Sequence, residues 1–328
     1  MTGITSGVGR RLAEIAIEEG HVVRGLVRDP NRADAQALQA LGVNLVPGDL
    51  LDTASLTKLC QGSEGVLHFA AHVGDWGPRE QFERINVQGT KNVVEAAAKG
   101  GAKRLVHMSS VAVYGRPDTG RVTEETSRLK TGVAYDDSKA DAEEMAFERG
   151  ASLGLAVTAI RPPVIYGPYD RNFIPRSLRL LRNGRFRLVG GGHNPLNLVW
   201  VDHVCDLSLL ALHNDKAIGE AFNVMDTVSE TPPSVREVAA AIAEAVGLPP
   251  PTGEIPYAAA MVLATVMTGL YKLVRSKTPP PVTPFVVRLT KLHVIYDASK
   301  ATRLLGWKPR MDPLQGVAKF ARLLDKTT

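Results

Sequence analysis

The sequence predicts an α/β fold built around a doubly wound parallel sheet. Between Thr2 and about Pro163, short apolar runs alternate with longer amphipathic stretches, which is the pattern of strands alternating with helices. The apolar runs are continuous, as is typical of parallel strands that helices cover on both faces. A glycine-rich turn at Thr2–Gly9 leads directly into the first helical stretch. With 328 residues, 44% of them hydrophobic, the chain can bury a large core.

The elements of this first part follow from their periodicity. The helical stretch Arg10–Glu19 places Leu12, Ile15 and Ala16 on one face and ends before Gly20. A second long helix is predicted over Asn86–Lys99. The strand-like runs are Val22–Val27, Val43–Val46, Val66–Phe69, Leu105–Met108 and Val157–Ile160.

The pattern changes after Pro163. A helix is predicted at Phe173–Leu181, a glycine loop at residues 190–192 and one more buried strand at Ala221–Met225. Clusters of proline near residues 249–256 and 279–281 mark excursions rather than a second independent core. We therefore divide the chain into residues 1–168 and residues 169–328, and we expect residues 196–228 to return to the sheet.

Composition restricts the cellular setting. Cys60 and Cys205 cannot build a disulfide framework, and no basic segment followed by an apolar one precedes the first motif, so we expect a cytoplasmic protein without a secretory signal. The net charge is +5, and arginines are concentrated between residues 176 and 187. A solvated surface is the favoured interpretation of that stretch, an anionic substrate or membrane headgroup is the alternative, and no nucleic acid is expected. His72, His107, His193 and His203 show no metal-ligand spacing, so no metal site is expected.

The most apolar segment is Ala258–Val274. It is short for a membrane span and contains Thr265, Thr268 and Lys272. We expect a core or lid helix. An interfacial helix with peripheral membrane contact, or an apolar wall for a hydrophobic substrate, is the less favoured alternative.

Tyr135 and Lys139 are four residues apart on a predicted helix and therefore share one face. A cation this close favours the phenolate and lowers a pKa that is about 10 in free tyrosine. A tyrosine tuned in this way can pass a proton to or from an alcohol oxygen near neutral pH. Ser110 follows the strand-like run Leu105–Met108. The spacing of Tyr135 and Lys139 alone is weak evidence, but together with Ser110 and the glycine turn it predicts an enzyme.

The glycine-rich turn predicts a site for a dinucleotide. Gly3, Gly7 and Gly9 permit a tight turn and close backbone approach, and the backbone from Ser6 through Val8 opens a helix whose free N–H groups can bind a pyrophosphate. A glycine turn without further context is weak evidence for this.

The choice of coenzyme depends on the end of the next strand-like run, which is Arg28. An arginine there suits a ribose 2′-phosphate, so NADP is favoured over NAD, although the adjacent Asp29 keeps NAD open. Asp49 and Leu50 follow the next strand and are expected to contact the adenine edge, with a plain turn as the alternative.

These residues together resemble the extended branch of the short-chain dehydrogenase/reductase superfamily, which includes NAD-dependent epimerases and dehydratases. The resemblance covers nearly the whole chain. It includes the glycine turn, residues 48–50, Phe69-Ala70-Ala71, residues 86–90, Ser109 through Gly115, Tyr135 with Lys139, residues 161–168 and residues 300–309.

The resemblance implies roles at matching positions. Tyr135 would be the acid/base, Lys139 would hold the nicotinamide ribose, and Ser110 would hydrogen-bond the substrate oxygen. Pro162 and Val164 would line the nicotinamide, and Ala70, Ala71 and His72 would also contact the cofactor. The implied architecture is a Rossmann NAD(P)-binding domain at residues 1–168 with a smaller C-terminal substrate-binding lobe.

Two features depart from the family pattern. The spacing of Gly3, Gly7 and Gly9 is that of the short-form branch, with Ser6 where a glycine is usual. Family members also carry an apolar strand before the turn, whereas Met1 stands directly against Thr2 and Gly3. We expect a start assigned too late or a truncation.

The substrate pocket separates the alternatives within the family. Leu196 stands where enzymes acting on nucleotide sugars carry an arginine that holds the diphosphate, and residues 161–168 with Ala258–Val274 look more like 3β-hydroxysteroid and sterol-4-carboxylate dehydrogenases. The resemblance therefore implies an NAD(P)-dependent oxidoreductase that interconverts a secondary alcohol and a ketone on a hydrophobic, sterol-like or β-hydroxy-acid substrate. A nucleotide-sugar epimerase or dehydratase, and a non-catalytic dinucleotide sensor, are the alternatives. A homodimer is a further expectation.

Overall fold

The computed structural model describes residues 1–276 and 278–326 and confirms the predicted α/β fold with a parallel sheet. The strands are β1 (Arg24–Val27), β2 (Asn44–Pro47), β3 (Gly65–His68), β4 (Arg104–Met108), β5 (Thr119–Val122), β6 (Ala156–Arg161), β7 (Val164–Tyr166), β8 (Leu188–Val189), β9 (Leu198–Trp200), β10 (Ala221–Asn223), β11 (Glu254–Ile255) and β12 (His293–Tyr296). Each predicted strand of the first part lies within two residues of an observed one.

Helices cover both faces of the sheet. The α-helices are α1 (Gly7–Glu18), α2 (Ala33–Ala40), α3 (Thr53–Cys60), α4 (Arg79–Phe82), α5 (Gly89–Lys99), α6 (Ala134–Ser152), α7 (Phe173–Arg182), α8 (Val201–His213), α9 (Val235–Ala245), α10 (Tyr257–Leu273), α11 (Pro284–Leu289), α12 (Ser299–Leu305) and α13 (Pro313–Asp325). A π-helical segment, Glu83–Gln88, joins α4 to α5, so the helix predicted over Asn86–Lys99 begins in that segment. A 3-10 turn, Val111–Tyr114, follows β4.

Met1 and Thr2 connect the two halves of the main sheet. On one side of them β1 pairs with β2, and on the other side the strand order is β3-β4-β6-β10, all parallel. The Met1 carbonyl accepts a hydrogen bond from Leu26 N (2.9 Å), and Thr2 N donates to Leu67 O (3.0 Å). The strand order therefore reverses at Thr2, and in such sheets ligands bind outside the carboxyl ends of the strands at this point. An apolar strand before Met1 stays a prediction.

The second part of the chain adds short parallel pairs of strands that are distant in sequence. β7 pairs with β9, β5 with β12, and β8 with β11. None of these six strands was predicted. β8 and β11 are two residues long, β7 and β9 are three residues long, and β5 exposes three of its four residues, so these strands leave little signal in the sequence. The predicted strand at Ala221–Met225 is β10, which joins the main sheet beside β6. The division of the chain at residue 168 stays a prediction.

Two apolar clusters lie on opposite faces of the main sheet. One includes Leu12, Ile15, Val106, Val204 and Phe222, which come from the sheet and from the α1 and α8 side. The other includes residues of β3 and β4 with α3 and α5, namely Val66, Leu105, Leu56, Leu59, Val93 and Ala97. This double coverage explains why the strand-like runs are apolar without interruption.

The apolar segment Ala258–Val274 corresponds to α10, and the expectation of a core helix is wrong. Only Ala260 and Ala264 are buried; they pack against Val287 of α11. Larger side chains on the opposite face, such as Val262 and Leu270, are exposed. Within the described residues, no helix combines the length and the hydropathy needed to cross a bilayer.

Candidate active site

The glycine turn packs so tightly that two of its positions exclude any side chain. Gly3 has φ +69°, and a Cβ there would lie 2.6 Å from the backbone N of Ala70. A Cβ on Gly9 would lie 2.2 Å from the carbonyl oxygen of Gly3. Helix α1 therefore starts directly above the turn and beside the carboxyl end of β3, which is where the strand order reverses.

The first turn of α1 presents N–H groups that can bind an anion. The Ser6 hydroxyl accepts a hydrogen bond from Gly9 N (3.0 Å), and the first bond within the helix runs from Arg10 N to Ser6 O (2.9 Å). The N–H groups of Gly7 and Val8 precede that bond and have no partner within the helix. This donor set fits the diphosphate of a dinucleotide.

Three arginines line a cleft next to this turn, and Arg28 is not among them. Arg28 follows β1 and is exposed, while the neighbouring Asp29 accepts a hydrogen bond from Asn31 N (2.9 Å) and thereby closes a local turn. A cleft of about 460 Å³ is lined by Arg10, Arg32, Ala33, Asp34 and Arg171. The side chains on the cleft therefore carry more positive than negative charge, as a phosphate site requires.

The other predicted cofactor contacts divide into two groups. Ala70, Ala71 and His72 follow β3 and are half-buried, and desolvation lowers the pKa of the His72 imidazole. Asp49 is exposed, but its carboxylate accepts a hydrogen bond from Leu51 N (3.0 Å). The Leu50 side chain is buried in the core, so the structure does not bring that side chain to the cleft.

Ser110, Tyr135 and Lys139 meet at the carboxyl end of β4. Ser110 caps the 3-10 turn that follows β4, where its hydroxyl accepts a hydrogen bond from Ala112 N (3.1 Å). Tyr135 is in the first turn of α6 and is half-buried beside the Ser110 side chain. The ammonium of the buried Lys139 donates to Met108 O (2.5 Å), the last carbonyl of β4. α6 is thus attached to the strand that carries Ser110.

The expected effect of Lys139 on Tyr135 is not what the structure shows. Burial raises the pKa of the Tyr135 phenol above its usual value, while the Ser110 side chain and the charge of Arg116 act in the opposite direction. The cost of removing a phenolate from water is the largest of these effects, so the phenol is the favoured form at neutral pH. Burial also lowers the pKa of Lys139 to about 8.

A buried ion pair lies one helical turn beyond Lys139. Tyr135, Lys139 and Glu143 are spaced by four residues and share one face of α6. The Glu143 carboxylate accepts two hydrogen bonds from Arg161, one of them from Nε at 2.8 Å, and Arg161 also donates to the Tyr114 hydroxyl (2.8 Å). The charge of Glu143 raises the pKa of Lys139 and partly offsets its burial.

Sequence reasoning missed Arg116. This residue has φ +57°, and its guanidinium makes two hydrogen bonds with the buried Asp136, at 2.7 and 2.9 Å. It lies over the ring of Phe285, 4.7 Å from the ring centroid, and its charge lowers the pKa of Tyr135. Arg116 follows the motif Ser109 through Gly115 directly, but nothing in the spacing indicates a contact with Tyr135.

Asn86 belongs to the motif at residues 86–90, and in the structure its side chain connects two elements of the site. Its side-chain amide accepts a hydrogen bond from His72 N (2.7 Å) and donates to His72 O (3.0 Å) and to the Ser138 hydroxyl (2.9 Å). Asn86 therefore holds the loop after β3 against α6.

The remaining predicted positions are Pro162, Val164 and Leu196. Pro162 O accepts a hydrogen bond from Val111 N (3.1 Å), next to Ser110, and Val164 on β7 is exposed. Leu196 packs in an apolar cluster with Tyr166 and Trp200. Leu196 is half-buried against this cluster and supplies no positive charge for a diphosphate.

Comparison with known proteins gives consistent matches. Residues 1–224 match the model of a family described as the NAD dependent epimerase/dehydratase family. A 2-alkyl-3-oxoalkanoate reductase of Stenotrophomonas maltophilia is 29% identical, over 98% of this chain and 97% of its own. Isoform 2 of the Arabidopsis thaliana 3beta-hydroxysteroid-dehydrogenase/decarboxylase is 28% identical, over 97% of this chain and 60% of its own. The structure of MoeE5 in complex with UDP-glucose and NAD superposes with a TM-score of 0.77 at 24% identity, over 99% of this chain and 98% of that one, which supports a shared fold.

The buried pair predicts unequal effects of substituting two adjacent glutamates. Glu143→Gln leaves Arg161 without a counter-charge in the core, so we expect a loss of about 3 kcal/mol in the free energy of unfolding. Glu144→Gln is the matched control, because Glu144 is exposed and pairs with the partly exposed Arg128, and it should cost less than about 1 kcal/mol. Urea unfolding curves of both variants check this. Equal urea midpoints for the two variants would contradict a stabilising buried pair between Glu143 and Arg161.

Proposed function

The chain belongs to the NAD dependent epimerase/dehydratase family, and from this premise we propose that it reduces the ketone of a hydrophobic substrate to a secondary alcohol with NADPH. The observation that carries the proposal is the meeting of Ser110, Tyr135 and Lys139 at the carboxyl end of β4, beside a helix N-terminus that fits a diphosphate. The family is named for its dependence on NAD. The relatives of this chain are named as a reductase and a dehydrogenase that act on keto and hydroxyl groups.

The protonation state of Tyr135 supports the direction of reduction. Since burial raises the pKa of Tyr135, its hydroxyl keeps its proton at neutral pH and can donate it to a carbonyl oxygen that gains negative charge. Ser110 is placed to orient that oxygen by a hydrogen bond. Lys139 would hold the nicotinamide ribose. When bound, the nicotinamide supplies the hydride.

The substrate class follows from the relatives and from Leu196. One relative is named for a 3-oxo acid with alkyl chains and the other for a 3-hydroxysteroid, so both names describe an oxygen at position 3 of an apolar body. The apolar surroundings of Leu196 favour the same kind of ligand over a nucleotide sugar. A β-keto acid or 3-oxo sterol is therefore the proposed substrate.

A nucleotide-sugar epimerase or dehydratase is the second candidate, since the structure of MoeE5 is described as a complex with UDP-glucose and NAD. The apolar contacts of Leu196 argue against it. A dinucleotide sensor without activity is the third candidate, and the retention of Ser110, Tyr135 and Lys139 argues against that one.

We propose a cytoplasmic location from the two cysteines. Cys60 and Cys205 are free and buried, which fits a reducing cytoplasm. The homodimer stays a prediction.

The catalytic assignment predicts the effect of Tyr135→Phe. This change removes only the hydroxyl, so kcat should fall by roughly 10²–10⁴ while the affinity for NADPH stays within a few-fold. Steady-state kinetics and a fluorescence titration of NADPH measure the two quantities. Tyr257→Phe on α10 is the control and should leave both unchanged. Near wild-type kcat in the Tyr135→Phe variant would refute the assignment.

The lowered pKa of Lys139 predicts a loss of activity at alkaline pH. Its pKa is lowered from 10.5 to about 8, so its ammonium is lost as the pH rises through 8 rather than above 10. We expect kcat/KM for the coenzyme, which reports on the free enzyme, to fall above pH 8. Burial lowers the pKa of His68 to about 3 and that of His107 well below its usual value, so neither imidazole can produce this limb. A flat profile from pH 7 to pH 10 would show that the charge of Lys139 is not needed.

The preference for NADP depends on Arg28. Arg28→Asp replaces a charge-assisted contact with a repulsion, so the dissociation constant for NADP should rise about 10- to 100-fold, with little change for NAD. Lys308→Asp, an equal change of charge at an exposed loop position, is the control. Titrations with both coenzymes test the placement, and an unchanged ratio of the two affinities in Arg28→Asp would exclude it.

A further inference from the structure

Helix α10 exposes an apolar face that no other described part of the chain covers. It is 17 residues long, or about 25 Å. On the side opposite Ala260 and Ala264 lie large side chains that are between 49% and 80% exposed. This apolar face of α10 consists of Val262, Leu263, Val266, Leu270 and Leu273. Their spacing places them on one stripe along the helix.

The segment that contains the apolar face carries only positive charge. Residues 255–296 contain no aspartate and no glutamate, whereas Lys272, Arg275, Lys277, Arg288 and Lys291 all lie in this segment. Lys272 is in the last turn of α10 and Arg275 follows it, and both are exposed. Lys291 lies over the ring of Tyr257 at the other end of the helix, 4.0 Å from the ring centroid. An exposed apolar stripe followed by the two exposed cations Lys272 and Arg275 is complementary to an anionic lipid surface.

We propose that the apolar face of α10 docks on a bilayer that contains anionic lipids, with the helix parallel to the membrane plane. Its side chains enter the boundary between headgroups and acyl chains, while Lys272 and Arg275 contact the headgroup phosphates. A symmetric dimer through the same face would bring identical cations towards each other, so a second copy is the poorer occupant.

Residues that follow α10 contact the loop after β3 and Arg116, next to the candidate active site. The Trp76 indole, in the loop after β3, donates to Ser276 O (3.2 Å), and the Thr283 hydroxyl is hydrogen-bonded to Asp75 in the same loop. Phe285 packs on Arg116, whose charge acts on Tyr135. A hydrophobic substrate dissolved in the bilayer would therefore meet the site next to the membrane. This consequence rests on the proposed function, whereas docking itself does not.

Sedimentation of the full chain with vesicles tests the docking. One set of vesicles contains phosphatidylglycerol and phosphatidylcholine in equal parts, and the other contains phosphatidylcholine alone. We expect binding to the anionic vesicles, weaker binding to the neutral ones, and loss of binding as salt is added. Equal partition to both kinds of vesicle, or none to either, would overturn the proposal.

Variants locate the contact on α10. The double substitution Val266→Asn with Leu270→Asn should weaken binding about tenfold or more, because it removes apolar area from the centre of the face. Lys272→Gln with Arg275→Gln should weaken it roughly fivefold for each charge removed. Val22→Asn is the matched control, since Val22 is 85% exposed far along the chain from α10, and it should bind like the wild type.

The same preparations distinguish docking from self-association and from loss of activity. Sedimentation velocity without vesicles should give the same mass for the wild type and for the α10 variants. A wild-type dimer that dissociates in both α10 variants would overturn the proposal, because the face would then bind a second copy of the chain. Turnover of a short, water-soluble β-keto ester should be equal in wild type and α10 variants. If that turnover is absent in all of them while vesicle binding persists, the proposed function fails and the docking stands.

Discussion

The attachment of α6 to the sheet is the constraint on which the rest of the site depends. Lys139 donates to the last carbonyl of β4, and one turn later Glu143 pairs with Arg161 at the end of β6. Both contacts are buried, so each removes a charge from water and is stable only when its partner is present. Because Tyr135 is one turn before Lys139, these two contacts determine where its hydroxyl lies relative to Ser110.

The sequence was sufficient for the main fold, and the residues it proposes as catalytic, Ser110, Tyr135 and Lys139, lie together at the carboxyl end of β4. Continuous apolar runs located the strands of the main sheet to within two residues, and Gly3 and Gly9 occupy positions where a side chain does not fit. It was not sufficient for Arg116, whose charge acts on Tyr135 and whose guanidinium pairs with Asp136 and packs on Phe285, 169 residues away in the chain. The sequence predicts a lowered pKa for Tyr135, whereas the structure raises it. The spacing of Tyr135 and Lys139 indicates a nearby cation but not the burial of the phenol. Helix α10 was misjudged for a similar reason: its hydrophobicity is visible in the sequence, but its exposure depends on what packs against it.

Two properties of the structure point to a hydrophobic ketone. A half-buried, protonated Tyr135 suits the donation of a proton to a carbonyl oxygen, and Leu196, which packs against an apolar cluster, supplies no positive charge for a diphosphate. Ser276 and Phe285, which follow α10 in the chain, contact Trp76 and Arg116 near this site. The cations that accompany the apolar face make an anionic membrane its natural counterpart.

The central claim is that the protein transfers hydride from a nicotinamide to a ketone and releases both products. The most direct test is incubation of the protein with a 2-alkyl-3-oxo acid and NADPH that carries deuterium at C4 of the nicotinamide in the transferable position. The account predicts an alcohol product with one deuterium at C3 and one equivalent of NADP⁺ for each alcohol formed. An epimerase would retain its coenzyme and form no NADP⁺, and a sensor would bind NADPH without consuming it. Unlabelled or absent alcohol, with NADPH unconsumed across 3-oxo acids and 3-oxo sterols, would contradict the claim.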